Sequence, residues 1–280
     1  MVGLVLEGGS FRAIFSAGVM DALLDNDIMV DYCIGASAGI SNGVSYISKQ
    51  SGRNLRVFSK YRNDTRYIGK RNLIKQRSIF GLDFVYDEVP NQLEKFDWKT
   101  YRSFQGKVVV VATNALTGNP TYFDGLKMDR RCNMLRATCA LPLVFPAIMI
   151  NKTPYYDGGL SDPIPLRKAM EDGCNKNIVI LTRPEDYIKD VSREAKMVAK
   201  FYRRKYPKIS NALLTRHIGY NETTKYIKEL EKKKEVFVFR PSKPVESFEK
   251  DVNILKETYD MGYQMALDRL DELNAYLKNE

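Results

Sequence analysis

Residues 35–39 constrain the fold of this chain more than any other segment, because they have the G-x-S-x-G form of a nucleophile elbow. An elbow is a sharp turn from a strand into a helix, and it requires small residues beside the serine that it presents. Beside Ser37 stand Gly35, Ala36, Ala38 and Gly39. An apolar run at residues 30–34 precedes the segment, and a helical pattern begins at Ile40. Ser37 is therefore a candidate nucleophile; the alternative is a glycine-rich helix cap with Ser37 as its N-cap residue.

The single histidine of the chain limits which residue could activate Ser37. Histidine is the usual base for a catalytic serine, but His217 lies in a polar segment far from the other motifs, and we expect it to be structural or on the surface. A carboxylate is therefore the expected base. Asp157 is the candidate, since it ends an apolar hairpin and begins a glycine turn with Gly158 and Gly159. Taken alone, the same motif favours an Asp-Gly β-turn without chemistry.

A second glycine-rich segment, residues 7–12, directly follows the apolar run at residues 2–6. Two adjacent glycines allow backbone N–H groups to point at one place and form a nest that binds anions, which in a hydrolase is the oxyanion position. A phosphate cradle is the alternative, but the spacing fits neither G-x-G-x-x-G nor G-x-x-x-x-G-K-[ST]. Arg12 either adds positive charge here or forms a structural salt bridge. The residues of this candidate oxyanion loop are Gly8, Gly9, Ser10 and Arg12.

Apolar runs alternate with helical patterns in the first two thirds of the chain. This alternation predicts α/β layers around a mostly parallel sheet. We expect a core at residues 1–183 that contains a polar and aromatic insertion at residues 53–106. Residues 184–280 form a charged extension of helices, one strand and a final amphipathic helix, interrupted near Gly262, and we expect the extension to pack on the core.

The composition narrows the class of protein. A chain of 280 residues with 44% hydrophobic content can bury one large core, or one domain with an appendage. No apolar run has the length of a membrane span, and the first residues enter a strand without the charged start and cleavage site of a signal peptide. The four cysteines lack C-x-x-C spacing, which indicates reduced thiols, favours the cytoplasm and, with one histidine, argues against a zinc site.

The net charge of +10 is concentrated in two basic segments. Residues 53–77 carry +8 and residues 192–208 carry +6, so the rest of the chain carries −4. In the first segment the basic residues are interleaved with aromatic ones. Such a surface suits an anionic membrane, at about 1 kcal/mol per basic residue near it, and it also suits nucleic acid. A solvated helical face is the alternative interpretation.

In combination, these segments resemble those of the patatin-like phospholipases, and among them the bacterial proteins of unassigned substrate. The glycine loop ends in Arg12, the elbow surrounds Ser37, and an Asp-Gly-Gly motif follows at residues 157–159. Residues 140–146 supply a further match, with Ala-Leu-Pro and then Phe-Pro. The resemblance covers residues 2–183, and the set of motifs is far more specific than any one of them.

The resemblance implies a three-layer α/β fold and a catalytic dyad of serine and aspartate, which agrees with the histidine count. It implies that Ser37 attacks an ester carbonyl while Asp157 takes its proton. The oxyanion is then held by N–H groups around Gly8, Gly9 and Ser10. Asp157 serves again as the base when water hydrolyses the acyl-enzyme. No metal or organic cofactor is implied.

Two residues depart from the family pattern. Ser10 stands where a third glycine is usual, and Ala13 stands where glycine usually follows the basic residue. If the backbone at Ser10 needs a positive φ, serine costs about 1 kcal/mol there. Such a cost would weaken the oxyanion loop without abolishing it.

The sequence thus predicts a serine acyl hydrolase that cleaves ester-linked acyl chains from phospholipids, lysophospholipids or simpler esters. Given the resemblance, membrane lipid is a better partner than nucleic acid, which is not expected. We expect the insertion to form a lid or docking face near Ser37, with peripheral contact to the inner face of an anionic membrane through residues 53–77 and 192–208. Two alternatives stay open: a lipid acyltransferase, in which an alcohol replaces water, and a non-catalytic protein that binds anionic lipid.

Overall fold

A computed structural model describes residues 1–278, and the eight strands found in this range form one sheet. The strands are β1 (Val2–Leu6), β2 (Tyr32–Ala36), β3 (Lys107–Asn114), β4 (Pro120–Asp124), β5 (Ile148–Ile150), β6 (Thr153–Asp157), β7 (Lys176–Ile180) and β8 (Val236–Phe239). Their order is β5-β6-β3-β2-β1-β7-β8, and β4 also pairs with β3. The five strands from β3 to β8 in this order are parallel, whereas β4 and β6 run antiparallel to β3. The prediction of a mostly parallel α/β sheet is confirmed.

Helices cover the sheet and connect its strands. The α-helices of the described chain are α1 (Ile14–Asp25), α2 (Ala38–Ile47), α3 (Arg53–Tyr61), α4 (Lys70–Gln76), α5 (Trp98–Arg102), α6 (Asn133–Thr138), α7 (Leu166–Glu171), α8 (Arg193–Tyr202), α9 (Pro207–Lys232), α10 (Val252–Asp268) and α11 (Leu270–Lys278). A π-helix spans Phe84–Leu93, and short 3₁₀ helices span Ser10–Ala13, Gly125–Lys127 and Gly158–Leu160. The insertion at residues 53–106 is thus mainly helical.

The central strands are apolar along their whole length because both faces of the sheet are covered. Leu4 and Leu6 of β1 pack into one core, whereas Val5 packs into the core on the other face. The register pairs Leu6 with Gly35 of β2. Parallel β1 and β2 therefore end side by side, and the glycine loop and the elbow both leave the sheet at the same edge.

The last helices pack on the core rather than standing apart from it. Helix α10 lies against α1, and β8 adds to the sheet beside β7. The expected interruption near Gly262 is not observed: α10 continues through Gly262, and the break lies at Arg269. A Cβ at Gly262 would lie 2.2 Å from the carbonyl oxygen of Phe15. This glycine therefore permits a close approach of two helices and does not end one.

Gly18, on the α1 side of the same contact, allows a test of this packing. A Cβ at Gly18 would lie 2.0 Å from the carbonyl oxygen of Tyr259 on α10. We expect Gly18→Ala to lower the free energy of unfolding by about 3 kcal/mol, because the added methyl forces the helices apart. Gly219→Ala on α9 is the matched control: nothing lies within 4 Å of its added Cβ, and it should raise stability by about 0.5–1 kcal/mol. Urea unfolding measures both, and equal effects would contradict the close-packing argument.

Candidate active site

Ser37 lies at the turn between β2 and α2, with φ 54° and ψ −136°. This strained conformation is that of an elbow, and its neighbours are small because the end of β1 presses against them. A Cβ at Gly35 would lie 2.8 Å from the Cβ of Leu6, and one at Gly39 would lie 2.5 Å from the carbonyl oxygen of Glu7. Any larger residue at either position would push the turn away from β1.

The Ser37 hydroxyl forms a hydrogen bond with the carboxylate of Asp157, although β6 and β2 are separated by β3 in the sheet. Ser37 Oγ donates to Asp157 Oδ2 over 2.6 Å, and both residues are buried, with 8% and 3% of their surfaces exposed. Asp157 is the last residue of β6, and its Oδ1 accepts from the N–H of Gly159 over 2.7 Å. Ser37 does occupy the N-cap position of α2, as the alternative interpretation expected, but its side chain makes no cap hydrogen bond and donates to Asp157 instead. Asp157 closes the glycine turn with one oxygen and holds the serine with the other.

The electrostatic surroundings of Asp157 are mixed. Burial raises the pKa of Asp157 above its ordinary value, while the hydrogen bond from Ser37, the charge of Arg216 and the N–H of Gly159 act in the opposite direction. Removing water from a carboxylate makes it more basic, which suits a group that must take a proton from a hydroxyl. Arg216 lies on α9, outside every motif of the sequence, and its approach to Asp157 follows only from tertiary packing.

Thr138 holds the backbone of the elbow in place. The N–H of Ser37 donates to Thr138 Oγ1 over 2.7 Å, and the Thr138 hydroxyl donates in turn to the carbonyl oxygen of Val111 on β3. Thr138 ends α6, shortly before the Ala-Leu-Pro segment, and no local pattern singles it out. It is a positioning residue that the sequence analysis did not identify.

The glycine loop approaches Ser37 closely. A Cβ at Gly8 would lie 2.9 Å from the Cβ of Ser37, and one at Gly9 would lie 2.7 Å from Oγ1 of Thr182. Within residues 1–278, the N–H groups of Gly8 and Gly9 donate no hydrogen bond to another group. Ser10 adopts a positive φ of 51°, the conformation for which serine carries the expected cost of about 1 kcal/mol. The loop therefore contains free backbone donors and meets the candidate nucleophile at Gly8.

The loop also contains two charged residues, Glu7 and Arg12. Glu7 is buried, and it accepts from the N–H of Thr182 over 2.5 Å and from the Tyr220 hydroxyl over 3.0 Å. Burial raises the pKa of Glu7. The guanidinium of Arg12 donates to the hydroxyl of Ser247 and forms no salt bridge within the described residues. Arg12 thus bonds to Ser247 and makes no hydrogen bond to the Ser37 hydroxyl.

An apolar cavity opens beside Ser37 and Ser10 and contains about 1100 Å³ of empty space, its open mouth included. The insertion supplies much of its wall. Apolar residues of the wall include Phe11, Val44, Val57, Phe58, Tyr67, Phe80, Val85, Tyr86, Val89, Leu135, Leu141 and Phe145. Phe58 and Tyr67 are buried here, so these aromatic residues of the basic segment are not surface anchors. The cavity can hold a flexible hydrocarbon chain with one end at the serine.

Three further features bear on function: metal-ligating clusters, the single histidine and helices long enough to span a membrane. No group of three or more histidine, cysteine, aspartate or glutamate residues there is placed to hold a metal ion. His217 lies half-buried on α9, and its Nδ1 has no hydrogen-bond partner within residues 1–278. None of the helices in this range combines the length and the hydropathy that crossing a bilayer requires.

Two family models match the chain. One is described as patatin-like phospholipase and matches residues 4–170, and the other is described as a domain of unknown function (DUF6363) and matches residues 206–278. The uncharacterized protein YjjU of Escherichia coli (strain K12) is 25% identical over 93% of this chain and 74% of its own length.

Two lysophospholipases are also similar over part of their length. Lysophospholipase NTE1 of Kluyveromyces lactis is 22% identical over 100% of this chain and 20% of its own length. Lysophospholipase nte1 of Aspergillus terreus is 28% identical over 58% of this chain and 10% of its own. The chain therefore spans only a small part of these two proteins. Among solved structures, that of VipD from Legionella pneumophila matches with a TM-score of 0.47 and 12% identity, covering 96% of this chain and 66% of its own.

Proposed function

Because the chain belongs to the patatin-like phospholipase family, we propose that it cleaves ester-linked fatty acyl chains from lipids with Ser37 as nucleophile and Asp157 as base. The hydrogen bond of 2.6 Å between these two side chains, beside an apolar cavity, carries the proposal. The expected enzyme class, a phospholipase or lysophospholipase, is confirmed at the level of the family. The residue roles and the substrate are our own assignment.

In the acylation step, Asp157 Oδ2 accepts the proton of Ser37 Oγ as the oxygen attacks the ester carbonyl carbon. The negative charge then moves to the carbonyl oxygen. The free N–H groups of Gly8 and Gly9 belong to the loop that meets the serine at Gly8, and they support an oxyanion hole at this place. The N–H of Ala38, the residue after the nucleophile, adds a donor at the N-terminus of α2, where the helix dipole favours negative charge.

In the second step, the C–O bond to the leaving alcohol breaks and the protonated Asp157 returns its proton to that oxygen. An acyl-enzyme on Ser37 remains. Water then attacks the acyl carbon while Asp157 takes its proton, and the fatty acid leaves as the Ser37 hydroxyl forms again. Acyl transfer would follow the same course with an alcohol in place of water, and product analysis with and without added glycerol separates the two.

The apolar cavity supports a fatty acyl substrate and allows a test of the proposal. We expect kcat/KM for p-nitrophenyl esters to rise about fourfold per added methylene from butyrate upwards until the cavity is full, since each buried CH₂ contributes about 0.8 kcal/mol. Val57→Trp narrows the cavity and should move the optimum to shorter chains. Leu116→Trp adds the same side chain at an exposed turn and should leave the profile unchanged. A flat profile in the wild type would contradict the acyl-chain assignment.

The same proposal includes contact with a membrane surface through the basic segments at residues 53–77 and 192–208. Exposed apolar side chains in these segments support it, since Ile74 is 87% and Phe201 is 70% exposed among basic residues. All four cysteines are free thiols, which supports a reducing compartment such as the cytoplasm. Flotation with neutral and anionic vesicles tests the contact, and equal binding to both would contradict it.

A further inference from the structure

We infer that Arg216, Lys189, Arg12 and Arg183 form a second subsite beside the dyad, which binds the phosphate group of a phospholipid head. This inference rests on the proposed function, because it assigns the part of the substrate that remains outside the apolar cavity. None of the four cations belongs to the cavity wall. The acyl chain and the head group would therefore lie on different sides of Ser37.

Arg216 connects the subsite to the dyad. A Cβ at Gly159 would lie 3.8 Å from Nη2 of Arg216, and the N–H of Gly159 donates to Asp157. The Arg216 guanidinium therefore lies next to the turn that holds the catalytic carboxylate. Tyr220 follows one helical turn later on α9, so that both side chains point to the same side of that helix. Tyr220 is buried against Glu7, which fixes this face toward the glycine loop.

Lys189 and Arg183 complete the cluster from the segment that follows β7. Lys189 Nζ lies 5.1 Å from the ring centre of Tyr220, and the Arg183 guanidinium lies 4.3 Å from that of Tyr187. The rings of Tyr187 and Tyr220 are themselves 5.9 Å apart. The backbone of Lys189 is held to α9 by two hydrogen bonds with Asn221, each of 2.9 Å. The arrangement is thus built by side-chain and backbone contacts.

The cations of the cluster outnumber the acidic groups near them. Within residues 1–278 none of the four forms a salt bridge, and the buried Nε atoms of Arg12 and Arg216 have no hydrogen-bond partner. Arg12 is 92% buried. The nearby carboxylates are those of Glu7 and Asp157, two acidic groups against four cations. Four cations gathered in this way favour a group with several negative oxygen atoms, for which guanidinium groups supply paired donors.

The pKa of Lys189 is affected by the same excess of positive charge. Burial, together with the charges of Arg216, Arg12 and Arg183, lowers the pKa of Lys189 to about 8 against the opposing effect of Glu7. A bound phosphate would relieve the repulsion and raise this pKa. Since the lysine loses its charge as the pH rises through about 8, phosphate binding should weaken in that range. In Lys189→Arg, which keeps its charge, the weakening should be absent.

Two lipids that differ only in the phosphate give the first test. We expect wild-type kcat/KM to be about tenfold or more higher for 1-oleoyl lysophosphatidate than for 1-oleoylglycerol. Lys189→Gln should lower this ratio by about tenfold, and Lys189→Arg should restore most of it. Lys225→Gln on α9, which removes an equal charge from an exposed position, is the control and should keep the wild-type ratio. A wild-type ratio near one would overturn the inference.

Binding to an inactive protein gives a test that does not depend on turnover. Calorimetry on Ser37→Ala should show binding of sn-glycerol 3-phosphate that is tighter than that of inorganic phosphate and about tenfold weaker after Lys189→Gln. Equal binding of the two ligands would overturn the head-group assignment in favour of a free-phosphate site. Absence of binding to either would overturn the subsite itself. If the wild type hydrolyses neither lipid while Lys189-dependent binding persists, the hydrolase proposal fails and the subsite stands.

Discussion

Replacing Ser37 by alanine is expected to lower kcat for ester hydrolysis by about 10⁴-fold, because among residues 1–278 no other hydroxyl donates to the buried carboxylate of Asp157. The residual rate should come from binding and from the oxyanion loop alone. Hydrolysis of the best p-nitrophenyl ester measures the effect. Mass spectrometry after reaction with an alkyl fluorophosphonate should show one added phosphonyl group on the wild type and none on Ser37→Ala.

The fold of this variant should remain intact. Alanine and serine have similar costs at a positive φ, and Asp157 keeps its hydrogen bond from Gly159. Ser41→Ala is the matched control: Ser41 lies one turn later on α2, contacts Cys139 and is not bonded to the base. It should keep kcat within about threefold of the wild type. Wild-type activity in Ser37→Ala would rule out the serine mechanism.

Replacing Asp157 by asparagine should lower kcat by about 10³-fold or more, since general-base catalysis typically contributes 10²–10⁴-fold and both half-reactions use this base. The amide is isosteric, and its oxygen can still accept from the N–H of Gly159. The substitution also removes a carboxylate whose charged form is disfavoured by burial. The melting temperature should therefore be unchanged or higher, which separates loss of the base from loss of the fold.

The pH dependence of the wild type identifies the base in a second way. Only the ionised carboxylate can take the proton of Ser37, so kcat/KM should fall as the pH falls through the pKa of Asp157. Burial raises this pKa, and the midpoint should lie above the ordinary value of about 3.9. In Asp157→Asn the residual activity should lack this acid limb. An unchanged acid limb in the variant would assign the titration to another group and contradict the proposed base.

The elbow and the layered sheet could be predicted because each produces a local pattern in the sequence. Small residues on each side of Ser37 are required by a backbone turn that lies against β1, and alternating apolar and helical segments reflect strands buried on two faces. The matching family model confirms the resemblance drawn from these motifs. The division into domains at residue 183 and the residue roles at the site remain predictions.

Other features depended on packing between distant segments. The motif at Asp157 favours a simple turn until β6 pairs with β3 and brings its carboxylate to the elbow, 120 residues away in the chain. Gly262 has the local pattern of a helix break, but its contact with Phe15 gives it the opposite role. In the insertion, Phe58 stands in a basic segment that suggests a surface, but its side chain is buried and lines the apolar cavity.

The sequence by itself therefore determined the layered α/β pattern and the elbow, which follow from periodicity and short-range backbone requirements, and through its set of motifs the family, whose resemblance implied the dyad. Only the tertiary structure decided what surrounds the dyad: the support from Thr138, the cavity wall, and the cluster of cations around Arg216 and Lys189. Such contacts join residues from separate elements whose side chains carry no local signal. Their burial and charge are properties of the assembled layers, and only those layers determine which groups meet.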